Sequence, residues 1–224
     1  MAAMDKTSAN RDRILDAAER LFSTRGYADV TVSQVCQASG FPVGSIYHHF
    51  TNKYGLLAAV FERSSGLFFE SLPAVDDLPG DPLDRLGIFY DAAAHVIGDR
   101  VLFMRLMFLL QLQEDKDGTI APLVHEARRR VRTELIAVIE PVARSCGVPR
   151  PTELALELAE LTMSFTAGLV VFTDAEAVGI PAGIHRLRQL VLATIREAAD
   201  PRSTPRQATA EESVAAESPI PHGR

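Results

Sequence analysis

The stretch from Thr31 to Phe50, TVSQVCQASGFPVGSIYHHF, constrains this chain more than any other, because it sets two short helical patterns on either side of a glycine turn. Thr31 is an N-cap residue whose hydroxyl can accept from the backbone N–H of Gln34, while Gln34 reaches back to the N–H of Thr31, a capping box. Val30 and Val35 stand where a hydrophobic staple closes the same turn. The first helix then ends near Ser39. Gly40 supplies the positive φ needed to leave one helix and enter another within a few residues, and Pro42 suits the first turn of the second, where its missing N–H does no harm. The pattern is a helix-turn-helix.

At about 100° per residue, Ile46 and Phe50 share one face of the second helix with Val43 beside them, an inward apolar stripe. Gly44, Ser45, Tyr47 and His48 turn the other way, with His49 on the boundary. A face of glycine, hydroxyl, phenol and imidazole, with no acid on it, suits close approach to a polyanion.

The run from Arg11 to Leu57 resembles the DNA-binding domain of TetR-family transcriptional regulators. The resemblance rests on Ile14, Ala17, Ala18, Leu21 and Phe22, then Gly26-Tyr27, Thr31-Val32 and Gly40-Phe41. It continues through Gly44 to Phe50, Asn52-Lys53 and Leu56-Leu57. It implies an all-α homodimer, a repressor more often than an activator, whose C-terminal domain binds an inducing ligand. Two departures stand out: Pro42 replaces a Ser or Thr cap, so the recognition helix enters uncapped, and Gly55 replaces a Glu, so the cap of the fourth helix rests on Asn52 or Thr51.

At 224 residues with 47 % hydrophobic content, the chain has room for a DNA-binding module and a second, larger core. No signal-like segment opens it, and its longest apolar run, Val101 to Leu110, is too short to span a bilayer. A cytoplasmic protein without a membrane partner is expected. Cys36 and Cys146 fall in separate expected domains, which argues against a structural disulfide. The net charge of −6 disfavours a nucleic-acid partner until it is divided: residues 1–55 hold 6 Lys and Arg against 5 Asp and Glu, while residues 56–202 hold 15 against 21. Phosphate contacts must therefore come from placed residues and helix N-termini and not from a broad basic field.

In chain order, residues 1–9 read as a disordered arm and 10–55 as the helix-turn-helix domain, whose first helix, from about Asn10 to Thr24, is closed by Gly26. Arg11 and Arg13 open that helix, placed either to reach a phosphate or the minor groove or to lie on a solvated face. A fourth helix from Thr51-Asn52-Lys53 to about Leu72 links this module to a ligand-binding and dimerisation domain over 73–199. There, Asp81-Pro82 opens a helix closed by Gly98, and Asp99 caps another running to Leu112. After a loop from Glu114 to Gly118, Thr119 to Ser145 forms a long helix that Pro141 should kink or stop. The helices Thr152 to about Thr173 and Ala182 to about Ala199 complete a bundle through Ala155, Ala159, Met163, Ala167 and Val170 on one and Leu187, Leu190, Ala193 and Thr194 on the other. The family resemblance implies that these last two pair with their two-fold mates; completing a monomer core is the alternative. Residues 200–224 lack periodicity and read as a disordered tail.

The DNA-contact candidates are Thr31, Ser33, Gln34, Val43, Gly44, Ser45, Tyr47, His48 and Lys53. Hydroxyls set register on phosphates, and Gly44 and Ser45 lie nearest the base edges. An effector cavity is expected among the later helices, with Phe61, Phe68, Tyr90, Met104, Met107, Phe108, Phe165 and Phe172 on its wall and His95, Gln111, His125 and Thr166 as polar anchors. The Arg128-Arg129-Arg130 run reads as a solvated face or, alternatively, an anion site. No catalytic, metal or cofactor motif is present. The expected function is a ligand-responsive regulator, most often a repressor, that a small, largely apolar effector releases from a palindromic duplex operator. The alternatives are an α-helical enzyme and a binding protein acting on an apolar small molecule.

Overall fold

Local chemistry decides where the helices begin and end. A computed structural model describes residues 2–112, 118–172, 179–200 and 202, and every regular element among them is helical. These are α1 (Ala2–Arg25), α2 (Val32–Ser39), α3 (Val43–Phe50), α4 (Lys53–Glu70), α5 (Pro82–Asp99), α6 (Val101–Leu112), α7 (Ile120–Ser145), α8 (Pro151–Phe172) and α9 (Gly179–Ala199), with a 3-10 turn at Val75–Asp77. α1 begins at Ala2 in place of the disordered arm expected for residues 1–9; the stretch lacks Gly and Pro and carries Ala, Met and Lys, which hold helical backbone well. α1 ends where Gly26 takes φ 84° and its N–H bonds to the Phe22 carbonyl.

Two further boundaries differ from expectation, at Asp99 and at Pro141. Asp99 is the last residue of α5 and not the cap of α6, because the chain turns at Arg100. Pro141 does not stop α7, which continues to Ser145 before Gly147 (φ 81°) ends it; so close to the C-terminus, the missing N–H costs one bond. α8 is long and apolar enough by length and composition to cross a membrane, with a mean hydropathy of 1.5, unlike any segment singled out in the sequence. Its Ala155, Leu158, Ala159, Thr162, Thr166 and Val170 are buried against neighbouring helices. Most of the expected loop at 114–118 and of the tail at 200–224 lies outside the described residues.

The first core layer is the α1 stripe Ile14, Leu15, Ala18 and Phe22, buried in one cluster with Val35, Ile46, Leu56 and Leu57 of the next three helices. α6 packs on α1 as well as on α8 and α4, so the two halves of the chain share a boundary of ring contacts. Phe103 of α6 meets Phe61 edge-on at 5.4 Å between centroids and Phe68 at 6.2 Å, both on α4. α5 pairs with α9, and α7 with α8. Three ionic contacts accompany these pairings: Arg128 and Arg132 of α7 meet Glu160 of α8, each at 3.2 Å, and Arg188 of α9 donates to Asp91 of α5.

Asp91 also faces His185 Nδ1 at 3.4 Å. Burial opposes its charge, but the hydrogen bond and charge of Arg188, then those of His185, outweigh it and hold the carboxyl below its ordinary value. A lowered carboxyl pKa means that the folded chain binds the proton more weakly than the unfolded chain does. The stabilisation is therefore complete above the unfolded value of about 3.9 and is lost as pH falls through the lower folded value. Asp91→Asn should lower stability at neutral pH by about 1 kcal/mol or less, as for other part-exposed pairs, and by almost nothing near about pH 2. Calorimetry at both pH values checks this; an equal loss at both would contradict it.

Candidate nucleic-acid interface and effector cavity

α2 starts with the full capping box: Gln34 N–H donates to Thr31 Oγ1 at 3.3 Å, and Thr31 N–H donates to Gln34 Oε1 at 2.8 Å. Both oxygens act as acceptors, so the Thr31 hydroxyl proton and the Gln34 amide NH2 remain as donors for a phosphate. Val30 and Val35, the staple pair, are fully buried. Gly40 takes φ 76° and ψ 17°, its N–H closing on the Cys36 carbonyl. Pro42 then caps α3 without a side-chain bond.

α3 divides into two faces. Ile46 and Phe50 are buried, while Tyr47 is 51 % exposed and His48 lies in solvent. Val43, read as part of the inward stripe as well as a DNA-contact candidate, is 49 % exposed and stands with Tyr47. It is in the first turn, where side chains lean back toward the N-terminus and past the end of the α1 stripe. Gly44 is exposed, and a Cβ there would meet nothing within 4 Å. Ser33 is exposed, Gln34 and Ser45 are half-buried, and the His49 ring lies between those of His48 and Phe50.

The cations nearby are placed less freely than the sequence suggests. Lys53 donates to the Ala28 carbonyl at 3.1 Å and sits over the Tyr27 ring at 4.3 Å. Burial lowers its pKa, opposed by Asp29. It thus ties α4 to the turn before α2 and keeps two N–H donors outward. Arg11 lies 5.6 Å from the Phe50 ring centroid and Arg13 5.0 Å from that of Phe41, so both brace the helix-turn-helix from α1.

Sequence reasoning missed Arg63. It reaches from α4 to α1, where Asp16 and Glu19 lie at 2.7 and 3.3 Å, Asp12 at 3.7 Å, and the Asp12 carbonyl accepts a hydrogen bond. Burial raises the Glu19 pKa against the hydrogen bonds of Ser64 and Arg63 and the Arg63 charge. The signal was present as Asp12, Asp16 and Glu19 spaced three and four apart on one face of α1.

The junction between α3 and α4 is tight. Asn52 caps α4 through Gly55 N–H at 2.7 Å, and Thr51 takes φ 57° and ψ −51° in a γ-type turn. That turn brings the Phe50 carbonyl so close that a Cβ at Gly55 would lie 2.2 Å from its oxygen. Glycine at 55 is therefore a steric requirement as well as the loss of a cap partner. Gly55→Ala should cost about 1–3 kcal/mol, the range for an overpacked site, measurable by urea unfolding; unchanged stability would contradict this geometry.

A narrow, almost wholly apolar cavity of about 80 Å³ lies among α4 to α9. Of the expected lining, Phe68, Tyr90, Met104, Met107, Phe108 and Thr166 are on its wall. Phe61 is buried in the α4–α6 contact instead, and Phe165 is half-buried outside the cavity. His95, Gln111 and His125 face solvent, and Phe172 is 89 % exposed. Thr166, Glu134, Tyr90 and Thr162 supply its polar groups, and the Tyr90 and Thr162 hydroxyls lie 2.8 Å apart in a hydrogen bond; burial drives the Tyr90 pKa to about 12 against that hydrogen bond. Phe69, Leu72 and Phe89 separate the cavity from an open groove of about 570 Å³ beside the α4–α5 connection.

Comparison with known proteins agrees with this arrangement. Residues 14–60 match the family model described as bacterial regulatory proteins, tetR family. The HTH-type transcriptional regulator AcrR of Shigella flexneri is 29 % identical over 178 residues, covering 76 % of this chain and 81 % of that one. The HTH-type transcriptional repressor AcnR of Corynebacterium glutamicum is 40 % identical over 70 residues, 31 % of this chain and 37 % of that one. Among solved structures, the fatty acid degradation regulator FadR of Bacillus halodurans superposes with a TM-score of 0.67 at 19 % identity, covering 84 % of this chain and 96 % of its own. A capped, glycine-hinged helix pair on an all-helical body, matched over residues 14–60 by the family model and along most of the chain by a named transcriptional regulator, gives this protein the DNA-binding domain of the TetR family.

Proposed function

We propose that the chain is a cytoplasmic homodimeric repressor that holds a palindromic operator through α3 and leaves it when a small, largely apolar effector occupies the second domain. The observation carrying this reading is the outward face of Val43, Gly44, Tyr47 and His48, which presents donors and small groups with no carboxylate while Ile46 and Phe50 fix the helix from behind. Tyr47 and the Thr31 hydroxyl serve phosphates and set register. Gly44, Ser45 and Val43 meet base edges and thymine methyls.

Two-fold pairing through α8 and α9 is supported by Leu161, Leu190 and Phe172, which these helices leave exposed at 44, 55 and 89 %. Ala155, Ala159 and Val170 of α8 and Leu187 of α9 are buried within the chain instead, whereas Leu190 and Ala193 of α9 are exposed, so on α8 the pairing face is the one that carries Leu161 and Phe172. A dimer would set its recognition helices about 34–36 Å apart, one turn of duplex. Effector binding acts on that spacing through α4, whose Phe61 and Phe68 touch Phe103, and through α6, which rests on α1. A coupling of about 1–3 kcal/mol corresponds to roughly 5–150-fold derepression.

Two measurements test this. Tyr47→Phe should weaken binding to an operator recovered by selection from genomic fragments by about 1 kcal/mol, roughly fivefold, with unchanged thermal stability; undiminished affinity would remove the phosphate role. Leu190→Glu should convert the dimer to a monomer in size-exclusion chromatography. A wild-type chain that elutes as a monomer at micromolar concentration would contradict the two-fold arrangement.

A further inference from the structure

The charge of the effector can be read where the cavity meets the groove. Among the described residues lining the apolar cavity, Glu134 is the one charged side chain, and it lines the groove as well. Phe68, Phe69, Phe89 and Tyr90 line the same cavity. The neighbouring arginines of α7 are taken: Arg128 and Arg132 by Glu160, Arg129 by Glu126. Arg130 instead lies over the Phe69 ring, 3.9 Å from its centroid, and Glu134 makes no ion pair among the described residues. The groove adds Glu70 and Asp76 against Arg85 and Arg130, so its carboxylates outnumber its guanidiniums.

A ring face at the mouth thus already holds a cation, and a carboxylate beside it lacks one. Arg130 and Glu134 both stand at the exposed rim; ring faces attract cations there as well, if less than in a dry site, and an unpaired carboxylate beside them favours a cationic partner over a neutral one. We infer that the effector is a lipophilic monocation, such as an alkylammonium, whose apolar part opens the cavity while its charge rests between Glu134 and the ring face of Phe69 in the place of Arg130. This rests on the proposal above that the second domain binds an apolar effector, and adds the charge and the residue that reads it.

Calorimetric titration of the full-length protein with three probes of one chain length tests it: octyltrimethylammonium, octanol and octanoate. The wild type should prefer the cation by at least about tenfold over octanol, with octanoate weakest. Glu134→Gln should abolish that preference while leaving octanol within about twofold, and Arg130→Gln should strengthen cation binding severalfold by clearing the Phe69 ring. Octanol or octanoate binding as tightly as the cation, or an unchanged preference in Glu134→Gln, would overturn the inference and leave the apolar-effector reading standing. Failure of all three probes to bind would count against both.

Discussion

Everything in this molecule that faces outward at the front depends on two side chains that do not. Ile46 and Phe50, buried at 1 and 4 % exposure in the hydrophobic core that also holds the α1 stripe, fix the rotation of α3. A helix advancing about 100° per residue then has no choice but to carry Tyr47 and His48 to the opposite side. The chemistry of the interface follows from that rotation and not from the net charge of the domain, which is close to neutral. The capping box on α2, the left-handed Gly40 and the γ-type turn at Thr51 serve the same end by limiting how the α2–α3 pair sits between its neighbours.

The same α1 stripe ties the front of the chain to the rest. α4 leaves the helix-turn-helix directly after α3, and Arg63 holds it to α1 by three carboxylates and a carbonyl. α6 lies on α1 from the other domain, with Phe103 wedged against Phe61 and Phe68. In the proposed mechanism, a change in the cavity wall at Phe68, Met104 or Met107 would reach α1 by two routes, one along α4 and one across α6. Packed side chains of this kind have discrete arrangements and resist continuous deformation, which suits a protein with two states.

What the sequence made legible was local chemistry. The Thr31–Gln34 box, Gly40, the Asn52 cap and, Val43 apart, the two faces of α3 each depend on residues within one or two turns, and the structure has them as read. What it hid depends on which face of a helix meets another. α6 is apolar nearly all round, so no wheel selects the cavity side. His95, Gln111 and His125 looked like rare polar anchors yet face water, while Glu134, which does reach the cavity mouth, looked like one more charge on a solvated helix. Val43 was ambiguous because a first-turn side chain lies beyond the partner helix, and Arg63 because its carboxylates are far away in sequence. Gly55 read as a lost cap until the Phe50 carbonyl showed what fills its space.

The central claim is that the α3 surface, and no other, meets duplex DNA. Nuclear magnetic resonance on the isotope-labelled full-length protein, titrated with a duplex selected from genomic fragments, tests it most directly. Shifts concentrated at Thr31, Val43, Gly44, Tyr47 and His48, with Ile46 and Phe50 little changed, are the predicted result. Perturbations confined to the second domain, or spread over the surface without preference for α3, would contradict it.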